Sequence, residues 1–183
     1  MGSLTAFEWM SADGVFDASS MDQWWEPYDS QSRQKSIIET YENVDAFLMG
    51  RTTHDLLGPY WSQLPDQAMG GVAGRLTHTP KFVVSRDLPE TYWPNTVHVN
   101  EYLDATVKQL KGQYAQIVII GSAALVESLC LFGLVDEFKF LIQPKIMGVG
   151  SRFFRERTQA SLEILSSERL ENDVQFVHYA VRK

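Results

Sequence analysis

Three short segments of the sequence combine glycine, hydroxyl and basic residues in a way that could bind a phosphate group. They are Gly50-Arg51-Thr52-Thr53, Ser85-Arg86 and Gly121-Ser122-Ala123-Ala124. Proteins bind phosphate with helix N-termini, with glycines that let the backbone approach, with hydroxyl donors and with the fork of an arginine guanidinium. An ordinary turn or helix cap would explain each segment alone, but the three together favour a dinucleotide-binding site.

Each of these segments directly follows a predicted strand. Residues 44–49, 81–85 and 116–120 are short runs of β-branched and apolar residues, which is typical of buried strands. Ligands of α/β sheets bind at the carboxyl ends of the strands. We therefore expect the three segments to lie together at one edge of a sheet.

The remaining pattern predicts a single α/β domain over residues 1–183. Further strands are predicted at residues 4–10, 96–99 and 135–143 and twice within 161–182, and helices near residues 31–41, 67–77, 102–110 and 123–131. Asp29 or Ser30 is expected to cap the first helix, and a loop is expected around Gly58-Pro59 and Trp61. Strands that alternate with helices early and follow one another late favour a mostly parallel sheet with antiparallel C-terminal strands.

The charge and cysteine content exclude several classes of partner. The chain has 16 Lys and Arg against 23 Asp and Glu, a net charge of -7, whereas nucleic acids and anionic membranes attract a basic surface. Its longest apolar run, residues 129–135, is far shorter than the roughly 20 residues that cross a bilayer. Cys130 is the only cysteine, which is typical of a reducing compartment. We expect a cytoplasmic protein that binds a small molecule.

Several common motifs are absent from the sequence. It has no Rossmann G-x-G-x-x-G after a strand, no Walker Gly-Lys-Ser/Thr and no G-x-S-x-G elbow. Its four histidines, His54, His78, His98 and His178, do not have the spacing of metal ligands, so no metal site is expected. Gly148-Val149-Gly150 is interpreted as a glycine turn between strands, and His54 as a structural residue.

Taken in order, a set of short motifs resembles the dihydrofolate reductase-like superfamily. The motifs are Ser11-Ala12-Asp13-Gly14, Met49-Gly50-Arg51-Thr52-Thr53, Val84-Ser85-Arg86, Ile120-Gly121-Ser122-Ala123-Ala124-Leu125, Leu134-Val135-Asp136-Glu137 and residues 144–154. They span nearly the whole chain and are most similar to the C-terminal reductase domain of the bifunctional riboflavin-biosynthesis deaminase-reductase. The deaminase motifs are absent. The resemblance implies a stand-alone reductase domain with a three-layer α/β/α fold and NADPH as its cofactor.

The resemblance also implies which residues bind the cofactor. In such proteins the arginine that follows the glycine pairs with the 2′-phosphate of NADPH, a role that falls here to Arg51 after Gly50. Thr52 or Thr53 would then donate to the pyrophosphate.

The other two segments have equivalents in the family as well. Ser85-Arg86 matches the strand end beside the adenosine phosphate. Gly121-Ser122, leading into Ala123 and Leu125, matches the turn under the pyrophosphate and the nicotinamide. Dihydrofolate reductases carry a second glycine where this chain has a serine.

Hydride transfer to a C=N or C=O bond also needs an acid or an ordered water that supplies a proton. Asp13 matches the Asp-Gly turn that lies beside the substrate in the riboflavin-type branch. We expect Asp13 to bind the substrate together with Ser11 and to position that water, although turn chemistry explains this residue equally well. Dihydrofolate reductases take the acid from the first helix, where Glu39 is a weaker candidate.

Aromatic residues of the predicted loops are further candidates for substrate binding. Trp24, Trp25, Tyr28 and Trp61 would stack on a flat heteroaromatic ring. Packing that anchors the loops, or contact within a homodimer, explains them equally well.

The sequence thus predicts an NADPH-dependent reductase that acts on a small heterocyclic substrate, pteridine-like or ribosylaminopyrimidine-like, or on a carbonyl compound. A homodimer is expected. Two alternatives remain open at this point. One is a flavin- or nucleotide-binding module of the same fold without turnover. The other is a structural homodimer joined through the late strands, residues 135–143 and 173–181.

Overall fold

Eight strands form one mixed sheet in the part of the chain that the computed structural model describes, residues 1–101 and 103–182. The strands are β1 (Ser3–Ser11), β2 (Ala46–Gly50), β3 (Lys81–Val84), β4 (Thr96–Val99), β5 (Gln116–Ile119), β6 (Glu137–Gln143), β7 (Leu162–Arg169) and β8 (Gln175–Val181). The helices are α1 (Met21–Trp24), α2 (Gln31–Glu42), α3 (Arg51–Trp61), α4 (Val72–His78), α5 (Leu103–Gln113) and α6 (Ala123–Leu131). Tyr102, the predicted start of α5, lies outside the described residues.

The strand order is β4-β3-β2-β5-β1-β6-β8-β7. The six strands from β4 to β6 run parallel to one another. β8 is antiparallel to β6, and β7 is antiparallel to β8. The predicted sheet, mostly parallel with antiparallel C-terminal strands, is confirmed.

Two apolar layers cover the two faces of the sheet. Side chains of α5 and α6 pack on one face, and side chains of α2 and α4 pack on the other. Every residue of β2 is buried because helices cover both of its faces. The predicted three-layer α/β/α arrangement is therefore present.

The sequence predicts a loop around Gly58-Pro59, but this stretch is part of α3. A Cβ at Gly58 would lie 3.2 Å from the hydroxyl of Thr91, so the glycine lets the helix pack closely on the segment before β4. Pro59 also lies within α3, where it removes one backbone N–H donor from the helix. Trp61 thus lies in the last turn of α3, packed against the layer formed by α2 and α4.

Two local predictions agree with the structure. Ser30, one of the two expected caps, accepts a hydrogen bond from the backbone N–H of Arg33 at the start of α2. Gly148-Val149-Gly150 lies in the connection between β6 and β7. Among the described helices, none combines the length and the apolar character needed to cross a membrane.

Candidate active site

The three phosphate-binding candidates follow three neighbouring strands. β3, β2 and β5 lie side by side and run in the same direction. Their carboxyl ends are followed by Ser85, by Arg51 and by the turn at Gly121. The structure therefore brings the three segments to one edge of the sheet.

The turns after β2 and β5 touch each other through two glycines. The N–H of Gly50 donates to the carbonyl of Gly121 at 3.1 Å. A Cβ at Gly50 would lie 2.9 Å from the hydroxyl oxygen of Ser122, and one at Gly121 would lie 2.8 Å from that of Thr53. Gly121 also has a φ of +51°, which favours glycine. The close fit of the two turns therefore requires a glycine in both.

Two helices begin at these turns. Gly50 precedes α3 and offers no side-chain cap, so the first N–H groups of this helix have no side-chain acceptor at that residue. Ser122 precedes α6, and its hydroxyl accepts from the N–H of Leu125 at 3.4 Å. The peptide bond between Gly121 and Ser122 is cis. Two helix N-termini thus lie side by side, an arrangement that favours bound anions.

The predicted basic and hydroxyl residues around this junction differ in their exposure and in their partners. Arg51 opens α3, and its guanidinium lies 3.5 Å from the carboxylate of Glu90, which is 76% exposed. Arg86 and Thr52 are exposed. The hydroxyl of Ser85 donates to the carbonyl of Asp87. Arg51 is therefore the arginine that stands directly at a helix N-terminus.

His54 and Asp55 hold the segment after β3 against α3. His54 is fully buried, and its ring lies 3.1 Å from the carboxylate of Asp55 and 3.0 Å from the hydroxyl of Thr96. The same oxygen of Asp55 accepts from the N–H groups of Glu90 and Thr91, both at 3.1 Å. These contacts favour the structural interpretation of His54. They also identify Asp55, which the sequence did not single out, as the residue that orders the border of the site.

The carboxylate of Asp13 is engaged by its own chain. It accepts from the N–H groups of Met147 at 3.0 Å and Gly148 at 2.9 Å, and from the hydroxyl of Ser11 at 2.7 Å. These hydrogen bonds, the one from Met147 foremost, hold the pKa of Asp13 well below its usual range. Asp13 is therefore ionised at neutral pH and is not itself a proton donor. The contacts favour the turn-chemistry alternative, and positioning of a water by Asp13 stays a prediction.

Asp13 belongs to a larger docking of two loops at the carboxyl ends of β1 and β6. Backbone hydrogen bonds of 2.7 to 2.9 Å join residues 12–16 to residues 145–153. Val15 and Arg152 form an antiparallel bridge, and the guanidinium of Arg152 lies 3.5 Å from the Asp13 carboxylate. These loops form the wall of the site on the side away from β3.

The neighbouring tryptophans pack within the protein. Trp24 is 2% exposed, and its ring N–H donates to the carbonyl of Asp17 at 3.1 Å. Trp25 stacks on Trp9 with ring centroids 4.0 Å apart, and the guanidinium of Arg33 covers its other face at 3.7 Å. Because both faces of Trp25 are covered, the contacts favour the loop-packing alternative over stacking on a substrate.

Glu8 is a residue of the site that sequence analysis missed. It lies on β1, is 2% exposed, and accepts a hydrogen bond of 2.8 Å from the N–H of Gly121. Burial raises the pKa of this carboxyl well above its usual value. A signal was present in the sequence, because Glu8 is the one charged residue among residues 4–10.

Glu39, the weaker candidate for the acid, lies elsewhere. It borders a cleft of about 230 Å³ together with Thr5, Gln116 and Glu137, which stand near the amino ends of β1, β5 and β6. This is the edge of the sheet opposite the two glycine turns. Among the described residues, no group of three or more His, Cys, Asp or Glu could hold a metal ion.

Comparison with known families identifies the family of this chain. The family model described as the RibD C-terminal domain matches residues 3–176 of the chain. The chain belongs to this family. Uncharacterized protein YyaP of Bacillus subtilis (strain 168) is 31% identical over 113 residues, and that match covers 61% of this chain and 60% of YyaP. The chain thus spans about three fifths of the length of that curated relative.

Solved structures agree on the fold. A protein from Shewanella sp. PV-4 that is named for riboflavin biosynthesis has a TM-score of 0.80 at 20% identity, with 99% of both chains covered. Dihydrofolate reductase from Enterococcus faecalis, complexed with NADP(H), has a TM-score of 0.67 at 15% identity and covers 100% of this chain and 98% of its own. The predicted resemblance is confirmed, and membership of the RibD C-terminal domain family supports a reductase-type function.

Proposed function

We propose that this RibD C-terminal domain protein is an NADPH-dependent reductase. Its substrate is a small heterocycle, pteridine-like or ribosylaminopyrimidine-like, or a carbonyl compound. The observation that carries the proposal is the hydrogen bond between Gly50 and Gly121, because it brings the N-termini of α3 and α6 to one point. Two helix N-termini provide the backbone donors that a pyrophosphate requires.

The residues around this junction fit an anionic dinucleotide. The first N–H groups of α3, with Thr52 and Thr53, would donate to the pyrophosphate, and Ser122 with Ala123 and Leu125 would line the turn beside it. Arg51 would bind the 2′-phosphate, with Ser85 and Arg86 beside the adenosine. The ion pair of Arg51 with Glu90 is long and exposed, so exchanging this partner for a phosphate costs little. NADPH, when bound, would supply the hydride.

The substrate would lie between this junction and the docked loops. Its C=N or C=O carbon would accept the hydride, which carries two electrons and one hydrogen. The heteroatom would take a separate proton, and a water near Ser11 and Asp13 would deliver it. The ionised carboxylate of Asp13 suits the task of orienting a water, since it accepts hydrogen bonds and donates none. Trp24, Trp25 and Trp61 would act by holding the loops that border the substrate.

We also infer that two copies of the chain pair along β7. This strand is one of the two edge strands of the sheet in the described residues, and its Ile164 and Leu165 are 62% and 52% exposed. An antiparallel pair centred on Ser166 would place Glu163 of one copy opposite Arg169 of the other. β6 and β8, the strands expected from the sequence to form an interface, are each paired on both sides.

An oxidation assay tests the proposed reductase. Purified protein is mixed with NADPH and a series of dihydropteridines, aminopyrimidines and small carbonyl compounds, and absorbance at the NADPH band is followed. We expect NADPH consumption that depends on one substrate class. A visible flavin spectrum of the purified protein, with no NADPH consumption, would instead support the flavin-binding alternative.

A further inference from the structure

A buried carboxyl group reaches the turn that follows β5. Glu8 stands on β1, in the middle of the sheet, and is 2% exposed. Its direct neighbour on β6 is Phe140, and its Oε1 accepts from the N–H of Gly121 at 2.8 Å. A carboxyl group in such an apolar position is costly unless a hydrogen bond compensates its burial.

The hydrogen bond from Gly121 continues into the second turn. The N–H of Gly121 donates to Glu8, and its carbonyl accepts from the N–H of Gly50 at 3.1 Å. Both polar groups of Gly121 are thereby used, one toward β1 and one toward the start of α3. The hydroxyl of Thr53 lies 2.8 Å from the position that a Cβ of Gly121 would take, so this residue has little room to move in that direction.

We propose that Glu8 is a positioning residue that holds the turns at Gly50 and Gly121 in register for nucleotide binding. This inference rests on the proposed function, since it concerns the same site. Without the acceptor on Glu8, the N–H of Gly121 would be buried and unpaired, and the turn would move to satisfy it. The first N–H groups of α3 and α6 would then no longer converge on one anion.

The protonation state of Glu8 adds a consequence that a purely structural role would lack. Burial raises the pKa of Glu8 well above its usual value, so the neutral acid persists to higher pH. Tyr41 of α2 is a titratable group that interacts electrostatically with it. Phe140 and Gly121, its neighbours on β6 and in the turn, carry no charge. An ionised Glu8 would stand beside the proposed pyrophosphate site and repel it.

The first test uses the protein without ligand. Hydrogen exchange of the Gly121 amide is measured by NMR in the wild type, Glu8→Gln, Glu8→Leu and Thr5→Val. Thr5 is the matched control, because it is a buried polar residue of β1 near the other end of the strand. We expect Glu8→Gln to keep the protection of this amide, since its side-chain carbonyl still accepts. In Glu8→Leu the protection of the Gly121 amide should fall roughly tenfold or more, and in Thr5→Val it should stay unchanged.

The second test measures the Kd for NADPH from pH 6 to pH 9. We expect Glu8→Leu to bind at least roughly tenfold more weakly than the wild type while keeping a native circular dichroism spectrum. Wild-type affinity should fall as pH rises through the Glu8 pKa, more steeply than that of Glu8→Gln. Identical pH profiles for these two proteins, or unchanged Gly121 protection in Glu8→Leu, would overturn the inference. Wild type that binds no NADPH would contradict the proposed function, and loss of Gly121 protection in Glu8→Leu would still support the positioning of the turn.

Discussion

The backbone N–H of Gly50 donates to the carbonyl of Gly121 at 3.1 Å, which joins the end of β2 to the turn after β5. A side chain at either residue would collide with a hydroxyl group, because a Cβ at Gly50 would lie 2.9 Å from that of Ser122 and one at Gly121 would lie 2.8 Å from that of Thr53. The junction sets the positions of the first turns of α3 and α6. The proposed cofactor site depends on it directly.

Gly121→Ala tests the junction. The new Cβ would meet the hydroxyl of Thr53 at 2.8 Å, and a φ of +51° costs a non-glycine residue about 1–2 kcal/mol. Gly133→Ala is the matched control, since Gly133 has a φ of +64° and open space around its Cβ position. We expect both variants to lower the urea midpoint, and NADPH affinity to fall in Gly121→Ala alone. Equal NADPH affinity in the two variants would contradict the role of this turn.

Asp13→Asn tests the docking of the two loops. An amide has one acceptor oxygen and cannot replace both carboxylate oxygens toward Met147 and Gly148. We expect a lower urea midpoint at pH 7 and faster proteolysis within residues 144–152. Because folding lowers the pKa of Asp13, its contribution is complete above its unfolded pKa and declines as pH falls below about 4.

The difference in urea midpoint between the wild type and Asp13→Asn should therefore become smaller toward pH 3. Asp22→Asn, which changes an exposed carboxyl on α1, is the control and should match the wild type. A difference in urea midpoint that stays the same at every pH would mean that Asp13 stabilises the fold without its charge.

Lys81 gives a prediction in the alkaline range. It is fully buried, and its ammonium donates to the carbonyls of Leu76, Thr77 and Thr79 at 2.7 to 3.1 Å. Burial nevertheless lowers its pKa to about 8, so between pH 8 and its unfolded pKa the unfolded state binds more protons. The free energy of unfolding of the wild type should therefore rise with pH. From pH 7 to pH 10 it should rise by roughly 2 kcal/mol more than that of Lys81→Met.

Urea unfolding of the two proteins across this pH range measures the difference. Lys35→Met, at an exposed position of α2, should follow the wild-type curve. Parallel curves for wild type and Lys81→Met would show that Lys81 keeps an ordinary pKa.

The edge strand β7 predicts an oligomeric state. We expect the wild type to sediment as a dimer and Ile164→Lys to sediment as a monomer, because a charge at this position opposes pairing along β7. Ile146→Lys is the matched control, since Ile146 is 76% exposed in the loop after β6. A monomeric wild type at micromolar concentration would contradict the inferred pairing.

The sheet and its order of elements were accessible from the sequence because β-branched runs and turn residues mark the strands clearly. The helical course of α3 was not, since Gly58-Pro59 resembles a break and the packing of Gly58 beside Thr91 depends on residues distant in the chain. Periodicity also cannot reveal that Trp25 is enclosed between Trp9 and Arg33, which lie on different elements.

In the site, too, the local motifs were predictable from the sequence and the tertiary contacts were not. Gly50, Ser85 and Gly121 stand out because each follows a strand, and parallel strands place such residues at one edge. The partners of Asp13 in residues 147–148 and the contact of Glu8 with Gly121 are tertiary, so no local pattern contains them. The isolated charge of Glu8 in β1 was the available hint.

The affinity of Arg51→Ala for NADPH and NADH tests the central proposal most directly. Arg182→Ala is its matched control, because Arg182 also forms an exposed ion pair with a glutamate, Glu163, at 3.8 Å. We expect Arg51→Ala to bind NADPH roughly 10- to 100-fold more weakly than the wild type, with NADH binding and Arg182→Ala little changed. Arg51→Ala that binds NADPH as tightly as the wild type would contradict the proposed cofactor site.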